Sequence, residues 1–246
     1  MTTSLVSRGG DIASSVRAQR SRTIAMLEDL TSAQWEVAVT PGWRVREVAA
    51  HLVATDEAAL TGRLWTLGVR RVDMERIERW NDVQVQRWAG RPIPALLHAL
   101  DRWGRRIARA TSLPGPLGSK AIPTPLGKVS LQWLAGLRVY DEWVHGEDVR
   151  RALGLPSDDD PSIVEPVARQ LLATIPVQTL PRVPHGARGE VTIAFSDVAV
   201  EPLGIDLGRK RYGSILANRG TRIEAEAAAL VMCAARRDAW REVEAD

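Results

Sequence analysis

The spacing of apolar residues is helical through the first part of this 246-residue chain and mixed after about residue 156, and that change limits the folds open to it. Up to about residue 156, apolar positions return every three or four residues, the period of an amphipathic helix. Residues 11–30 carry Ile12, Val16, Ile24, Leu27 and Leu30 in this way. Thr40-Pro41-Gly42 breaks the pattern, and a second run goes from Trp43 through His51, Leu52, Val53 and Leu60 to about Leu67. A third region starting near Val72 is cut at Arg91-Pro92-Ile93-Pro94, because proline removes a backbone donor and clashes with the preceding turn. It predicts two helices in series, over 74–89 and 95–111. A loop rich in Pro and Gly from Leu113 to Gly127 then leads to a long helix over 130–153, stopped by Gly154 and Pro156.

Beyond that point the period shortens. Ser157-Asp158-Asp159-Asp160-Pro161 combines turn formers with a charge run and reads as a linker. Residues 164–175 still suit a helix, whereas 189–195 alternate as a strand does and 204–207 form a shorter strand candidate. A last helix is expected over 224–236. Runs of helices followed by a mixed segment predict an α+β protein, with a helical bundle in residues 1–156 and a small α+β domain in 157–246.

Hydrophobic residues make up 45% of the chain and charged residues 26%, enough apolar surface for a core without outside help. The net charge of +3 is small, and the densest charged stretch, Arg70-Arg71-Val72-Asp73-Met74-Glu75-Arg76, alternates in sign. That is a solvated helix face, so nucleic acid is not an expected partner. Cys233 is the sole cysteine, which excludes an internal disulfide and any multi-cysteine metal site. Its neighbours Leu230, Val231, Met232, Ala234 and Ala235 suggest a buried small hydrophobe, a setting that raises a thiol pKa. The N-terminus lacks the pattern of a secretory signal, and no apolar stretch reaches the ~18 residues of a membrane span. A soluble, cytoplasmic protein is expected. There is no Gly-x-Ser-x-Gly elbow, Walker loop or dinucleotide fingerprint.

Chemistry-bearing residues concentrate around two histidines. In Val139-Tyr140-Asp141-Glu142-Trp143-Val144-His145, Asp141 precedes His145 by four residues and shares its helix face. A carboxylate and an imidazole placed so can converge on one ion. Glu142, three residues before His145, is the competing acid, and the apolar phase of Leu137 and Val144 favours Asp141 by placing Glu142 toward the flank of Arg138. His51 lies in the apolar string Ala49-Ala50-His51-Leu52-Val53, where an imidazole needs a receiver. Two imidazoles and one carboxylate would leave an open position on a divalent metal, as catalytic zinc sites do. Spacing alone describes the acid and histidine equally as an ion pair worth ~0.3–0.5 kcal/mol, and His51 equally as a hydrogen-bonded core residue.

Two longer strings carry more. Pro41-Gly42-Trp43-Arg44-Val45-Arg46-Glu47-Val48-Ala49-Ala50-His51-Leu52 and Trp143-Val144-His145-Gly146-Glu147-Asp148-Val149-Arg150-Arg151-Ala152-Leu153-Gly154-Leu155-Pro156 resemble the paired signatures of the mycothiol-dependent maleylpyruvate isomerase family. Trp80-Asn81-Asp82, Arg91-Pro92 and Leu96-Leu97 are similar to its middle segment, so the resemblance covers about residues 11–156. From about Asp160 onward the chain resembles the family's smaller, sterol-carrier-like α+β domain, best over Arg222-Ile223-Glu224-Ala225 to Arg236-Arg237-Asp238.

The resemblance implies a DinB-like four-helix bundle with an interior metal, usually zinc, held by His51, Asp141 and His145. Asp141 stands where the isomerase is best matched by Glu, a departure that shortens the ligand's reach and leaves Glu142 as its rival. Asp148 would fix a histidine tautomer or pair with Arg150 or Arg151, while Trp43 and Trp143 would be packing anchors. The implied partners are a small-molecule substrate and a low-molecular-weight thiol such as mycothiol, with no membrane involved. Metal coordination would deprotonate the thiol, which would add to the double bond of an unsaturated diacid, permit rotation and leave. Arg44, Arg46, Arg150 and Arg151 are candidates to hold the diacid carboxylates. Two readings compete: a metal-dependent hydrolase or thiol S-transferase on the same site, and a non-catalytic protein that binds metal or a small ligand.

Overall fold

The computed structural model describes residues 9–64, 74–112, 122–124, 127–216, 220–237 and 244–245. The chain divides into two compact units that change over between Asp158 and Asp159. The first is helical. Helices α1 (Gly9–Glu28), α2 (Val45–Thr61), α4 (Ile93–Thr111) and α5 (Leu131–Leu153) pack against one another, and α3 (Met74–Ala89) lies along α2. Two short antiparallel pairs join them: β1 (Ala38–Thr40) with β2 (Trp43–Arg44), and β3 (Ile122–Thr124) with β4 (Gly127–Val129).

Local chemistry explains where the site-bearing helices start and stop. At the head of α2 the Glu47 carboxylate accepts the Arg44 backbone N–H at 2.9 Å, and at its end Gly62 takes the left-handed conformation at φ 80°. The expected continuation of this helix to Leu67 passes Gly62 and, from residue 65, lies outside the described residues. Helix α5 is capped by Ser130, whose hydroxyl accepts the Trp133 N–H at 3.1 Å. It closes on Gly154 at φ 66°, with the Leu155 N–H donating to the Arg150 carbonyl at 2.8 Å. Pro92 and Pro94 sit before and within the first turn of α4, where no intrahelical donor is lost, so that helix begins two residues earlier than predicted.

Leu52, Val45, Trp35, Leu100, Trp103 and Val149, drawn from across the helical unit, form its core and are almost completely buried. The residues after α5 are tied back to it. Glu147 accepts both the Ser157 hydroxyl at 2.6 Å and the Asp158 N–H at 2.9 Å. Arg22 of α1 forks onto Asp158, and the buried Trp143 indole donates to the Asp158 carbonyl at 3.0 Å. Ser157 and Asp158, in the middle of the acidic turn segment, are thus pinned rather than free.

The second unit opens with α6 (Pro161–Thr179), capped by Asp160. Its sheet runs in the order β7 (Arg211–Gly213), β6 (Leu203–Asp206), β5 (Glu190–Phe195), β8 (Thr221–Ala225), β9 (Glu244–Ala245). Pairing is antiparallel except between β5 and β8, which run parallel with Ile193 opposite Ile223. Gly220 is obligatory at the entry to β8: it has φ 68°, and a Cβ there would sit 1.9 Å from the Glu190 carbonyl oxygen. Helix α7 (Ala227–Ala234) packs on α6. The helix expected over 224–236 therefore starts three residues late. Glu224 and Ala225 favour helix locally, but parallel pairing with β5 claims both. The overall expectation of a helical bundle followed by a small α+β unit matches the observed fold. Among the described residues, no helix is long and apolar enough to cross a membrane.

Candidate metal centre

Helix α2 supplies one residue of the site and α5 supplies two. His51 is buried in mid-α2, and Asp141 and His145 lie one turn apart on α5. The structure brings the three together: His51 Nε2 is 3.4 Å from Asp141 Oδ2, His145 Nε2 is 3.8 Å from Asp141 Oδ1, and the imidazole centroids are 4.8 Å apart. One ligand atom from each lies within 4.8 Å of the others, the one such group among the described residues.

This donor set fits a divalent ion. Tetrahedral zinc with bonds of about 2.0–2.2 Å separates its ligand atoms by about 3.3–3.6 Å; the 3.4 Å from His51 to Asp141 Oδ2 falls in that range, and the 3.8 Å from His145 to Oδ1 is slightly longer. Burial, the largest influence, pushes the His51 imidazole below its ordinary pKa, and His145 and Arg138 act in the same direction against Asp141. The ring is therefore neutral at neutral pH and offers a lone pair. Burial works against the Asp141 carboxylate, yet Arg138, aided by His51 and His145, holds it well below the usual carboxylate range. A neutral His51 nitrogen, a His145 nitrogen and an anionic Asp141 oxygen converge.

The surroundings are as particular as the donors. The Trp43 ring lies 4.9 Å from that of His51 and 6.1 Å from that of His145, with its indole N–H donated to Asp82 of α3 at 3.2 Å. Trp43 thus covers the histidines, beyond the packing role expected of it, whereas Trp143 is core as expected. Asp148, also buried, places Oδ2 3.2 Å from His145 Nδ1, although off the line a hydrogen bond requires.

Glu142 does not point toward the flank of Arg138. It is buried, and both its oxygens are taken by Arg20 of α1, at 2.8 and 2.7 Å, so it is absent from the converging set. The same Arg20 donates to Asp56 of α2 at 2.7 Å and to the Leu100 carbonyl of α4. Gly104 makes room for it, since a Cβ there would approach the guanidinium to 2.9 Å. Asp56 in turn accepts Arg138 Nε at 2.8 Å, and Arg138 Nη1 donates to Asp141 Oδ2 at 2.7 Å. A chain of buried ion pairs therefore runs from α1 to the centre.

Sequence reasoning passed over Arg20, Asp56 and Arg138. The one available signal was Asp56, an acid set shortly after the apolar run Ala49–Ala54. Three of the four arginines nominated for substrate carboxylates are engaged elsewhere. Arg44 and Arg46 pair with Glu36, Arg46 also with the carbonyls of Ala89 and Arg91, and Arg150 with Glu147 and Asp158. Cys233 is half-buried rather than fully buried.

The comparisons with known proteins bear on this geometry. The profile of the mycothiol maleylpyruvate isomerase N-terminal domain matches residues 16–150, more than half of the chain. Among curated proteins, none matches in sequence. Two crystal structures share the fold: a mycothiol-dependent maleylpyruvate isomerase, at 16% identity and TM-score 0.60, and a histidine-to-alanine mutant of a mycothiol-dependent maleylpyruvate isomerase, at 15% and 0.60. Each alignment covers 96% of this chain and 91% of the other. With the profile covering more than half of the chain, His51 and His145 included, the chain belongs to the mycothiol maleylpyruvate isomerase family.

Proposed function

We propose that this protein is a metal-dependent enzyme that uses mycothiol or a similar low-molecular-weight thiol to transform a small unsaturated acid, with zinc as the metal and His51, Asp141 and His145 as its ligands. The observation that carries the reading is the convergence of two imidazole nitrogens and one carboxylate within 4.8 Å in a chain of this family. A divalent ion held by these residues would lower the pKa of a bound thiol and so supply a nucleophile at neutral pH.

The chain's own residues set the conditions for that chemistry. His51 contributes a lone pair without charge, His145 a second ring nitrogen, and Asp141 one negative charge. Trp43 covers the imidazole faces and limits water at them. Asp148 Oδ2 faces His145 Nδ1 at 3.2 Å, and Nε2 is the nitrogen turned toward Asp141.

The test is the absorbance of maleylpyruvate followed with metal-loaded protein, with and without added thiol. A rate that requires both metal and thiol supports the proposal. No thiol-dependent rate at full metal loading would overturn the isomerase reading. The engagement of Arg44, Arg46 and Arg150 in ion pairs of the fold favours a second reading, thiol S-transfer to a substrate with fewer carboxylates. A hydrolase would instead show thiol-independent turnover, and a non-catalytic binding protein none.

A further inference from the structure

The buried charges behind the metal ligands have no part in the chemistry above, yet they end on one of the ligands. Arg138 is 8% exposed and is gripped from both sides: its Nε donates to Asp56 Oδ1 at 2.8 Å and its Nη1 to Asp141 Oδ2 at 2.7 Å. Asp56, 1% exposed, is itself fixed through Oδ2 by Arg20, which both oxygens of Glu142 and the Leu100 carbonyl hold in place. The anchor thus has supports on α1, α2, α4 and α5, the helices that pack into the bundle. Asp141 is different. Its side chain is 30% exposed, and Arg138 is the partner that approaches it most closely. An aspartate reaches less far than a glutamate, so its carboxylate must be aimed accurately to meet ligands on two helices.

We infer that Arg138, braced by Asp56, is a positioning residue of the metal centre: it aims the Asp141 carboxylate between His51 and His145 and offsets part of its charge. Two consequences follow from the geometry. Asp141 Oδ2, shared by Arg138 and His51, is held in one rotamer, so the ligand set is organised before the ion arrives. Arg138 also joins Asp141 to Asp56 of α2, which ties the carboxylate to the helix that carries His51. Residues that orient a metal ligand by hydrogen bonding typically alter metal affinity about 10- to 100-fold when replaced.

The inference rests on the metal reading of the site, and the test separates the two. Full-length protein is stripped of metal and titrated with Co²⁺, whose visible d–d absorption reports both affinity and ligand geometry. Wild type is compared with Arg138→Gln and Arg138→Lys, with thermal unfolding recorded in parallel. The expected order of affinity is wild type, then Arg138→Lys, then Arg138→Gln, with a loss of about 10- to 100-fold in the last and a changed d–d band. A purely structural Arg138 would lower the melting temperature and leave the Co²⁺ affinity and band unchanged in the folded variants, which would overturn the inference. Should Arg138→Gln fail to fold, Arg138→Lys alone decides: weaker binding supports the inference and wild-type binding overturns it. A wild type that binds no Co²⁺ would remove the metal reading and this inference together.

Discussion

His51 Nε2 and Asp141 Oδ2 stand 3.4 Å apart on helices that meet only in the folded bundle, and on that oxygen the Arg138 guanidinium also closes. The relationship places a buried charge network directly behind a three-donor cluster. It makes ligand identity, fold stability and metal affinity separable by substitution.

Glu142 is the sharpest case. It neighbours the proposed ligand in sequence, yet it neutralises Arg20 in the core. Removing one partner of a buried ion pair costs about 3–5 kcal/mol when the other is left uncompensated. Glu142→Gln retains some hydrogen bonding, so a loss near the lower end, about 3 kcal/mol, is expected in urea denaturation, with metal stoichiometry intact in the folded fraction. Loss of metal from folded Glu142→Gln protein would instead make Glu142 the acidic ligand.

Asp56 sets an acid limit to stability. Burial opposes its charge, but Arg20 and Arg138 more than offset this and hold its pKa below the ordinary value. A carboxylate whose folded pKa lies below its unfolded value contributes stability that is fully present above the unfolded pKa, about 3.9, and is lost as pH falls through the folded pKa. Urea denaturation from pH 7 to pH 2 should show this fall below about pH 4 in wild type. Asp56→Asn should be less stable at neutral pH and should lose less over the acid range. An equal acid loss in the two proteins would assign the effect to other carboxylates.

Trp43 gives an optical handle on the site. Its ring lies 4.9 Å from that of His51, so a paramagnetic ion bound by His51 should quench its emission. Co²⁺ titration of wild type is expected to reduce tryptophan fluorescence saturably, and Trp43→Phe should lose much of that change while keeping a ring over the histidines. Identical quenching in Trp43→Phe would place the bound ion away from this cluster.

Much of the fold was legible because its punctuation is local. The Ser130 cap and Gly154 fix α5, and the prolines at 92 and 94 separate α3 from α4, all from chemistry within a few residues. The misplacements arise where distant pairing wins. Glu224 and Ala225 are helix formers recruited by β5, and β3 with β4 forms in a stretch whose prolines and glycine read as loop. The candidate site divides in the same way. The four-residue step from Asp141 to His145 puts both on one helix face in any sequence, but nothing local says that His51 meets them. The choice between Asp141 and Glu142 turns on Arg20, whose inward face is set by packing of α1 against α4 and α5 and leaves no trace in spacing.

The central claim is a divalent ion held by His51, Asp141 and His145. Metal analysis of wild type beside His51→Ala and Asp141→Ala, each checked for folding by circular dichroism, tests it most directly. Close to one equivalent of zinc is expected in wild type, with a large loss in both variants while they remain folded. Unchanged metal content in the two folded variants would contradict it.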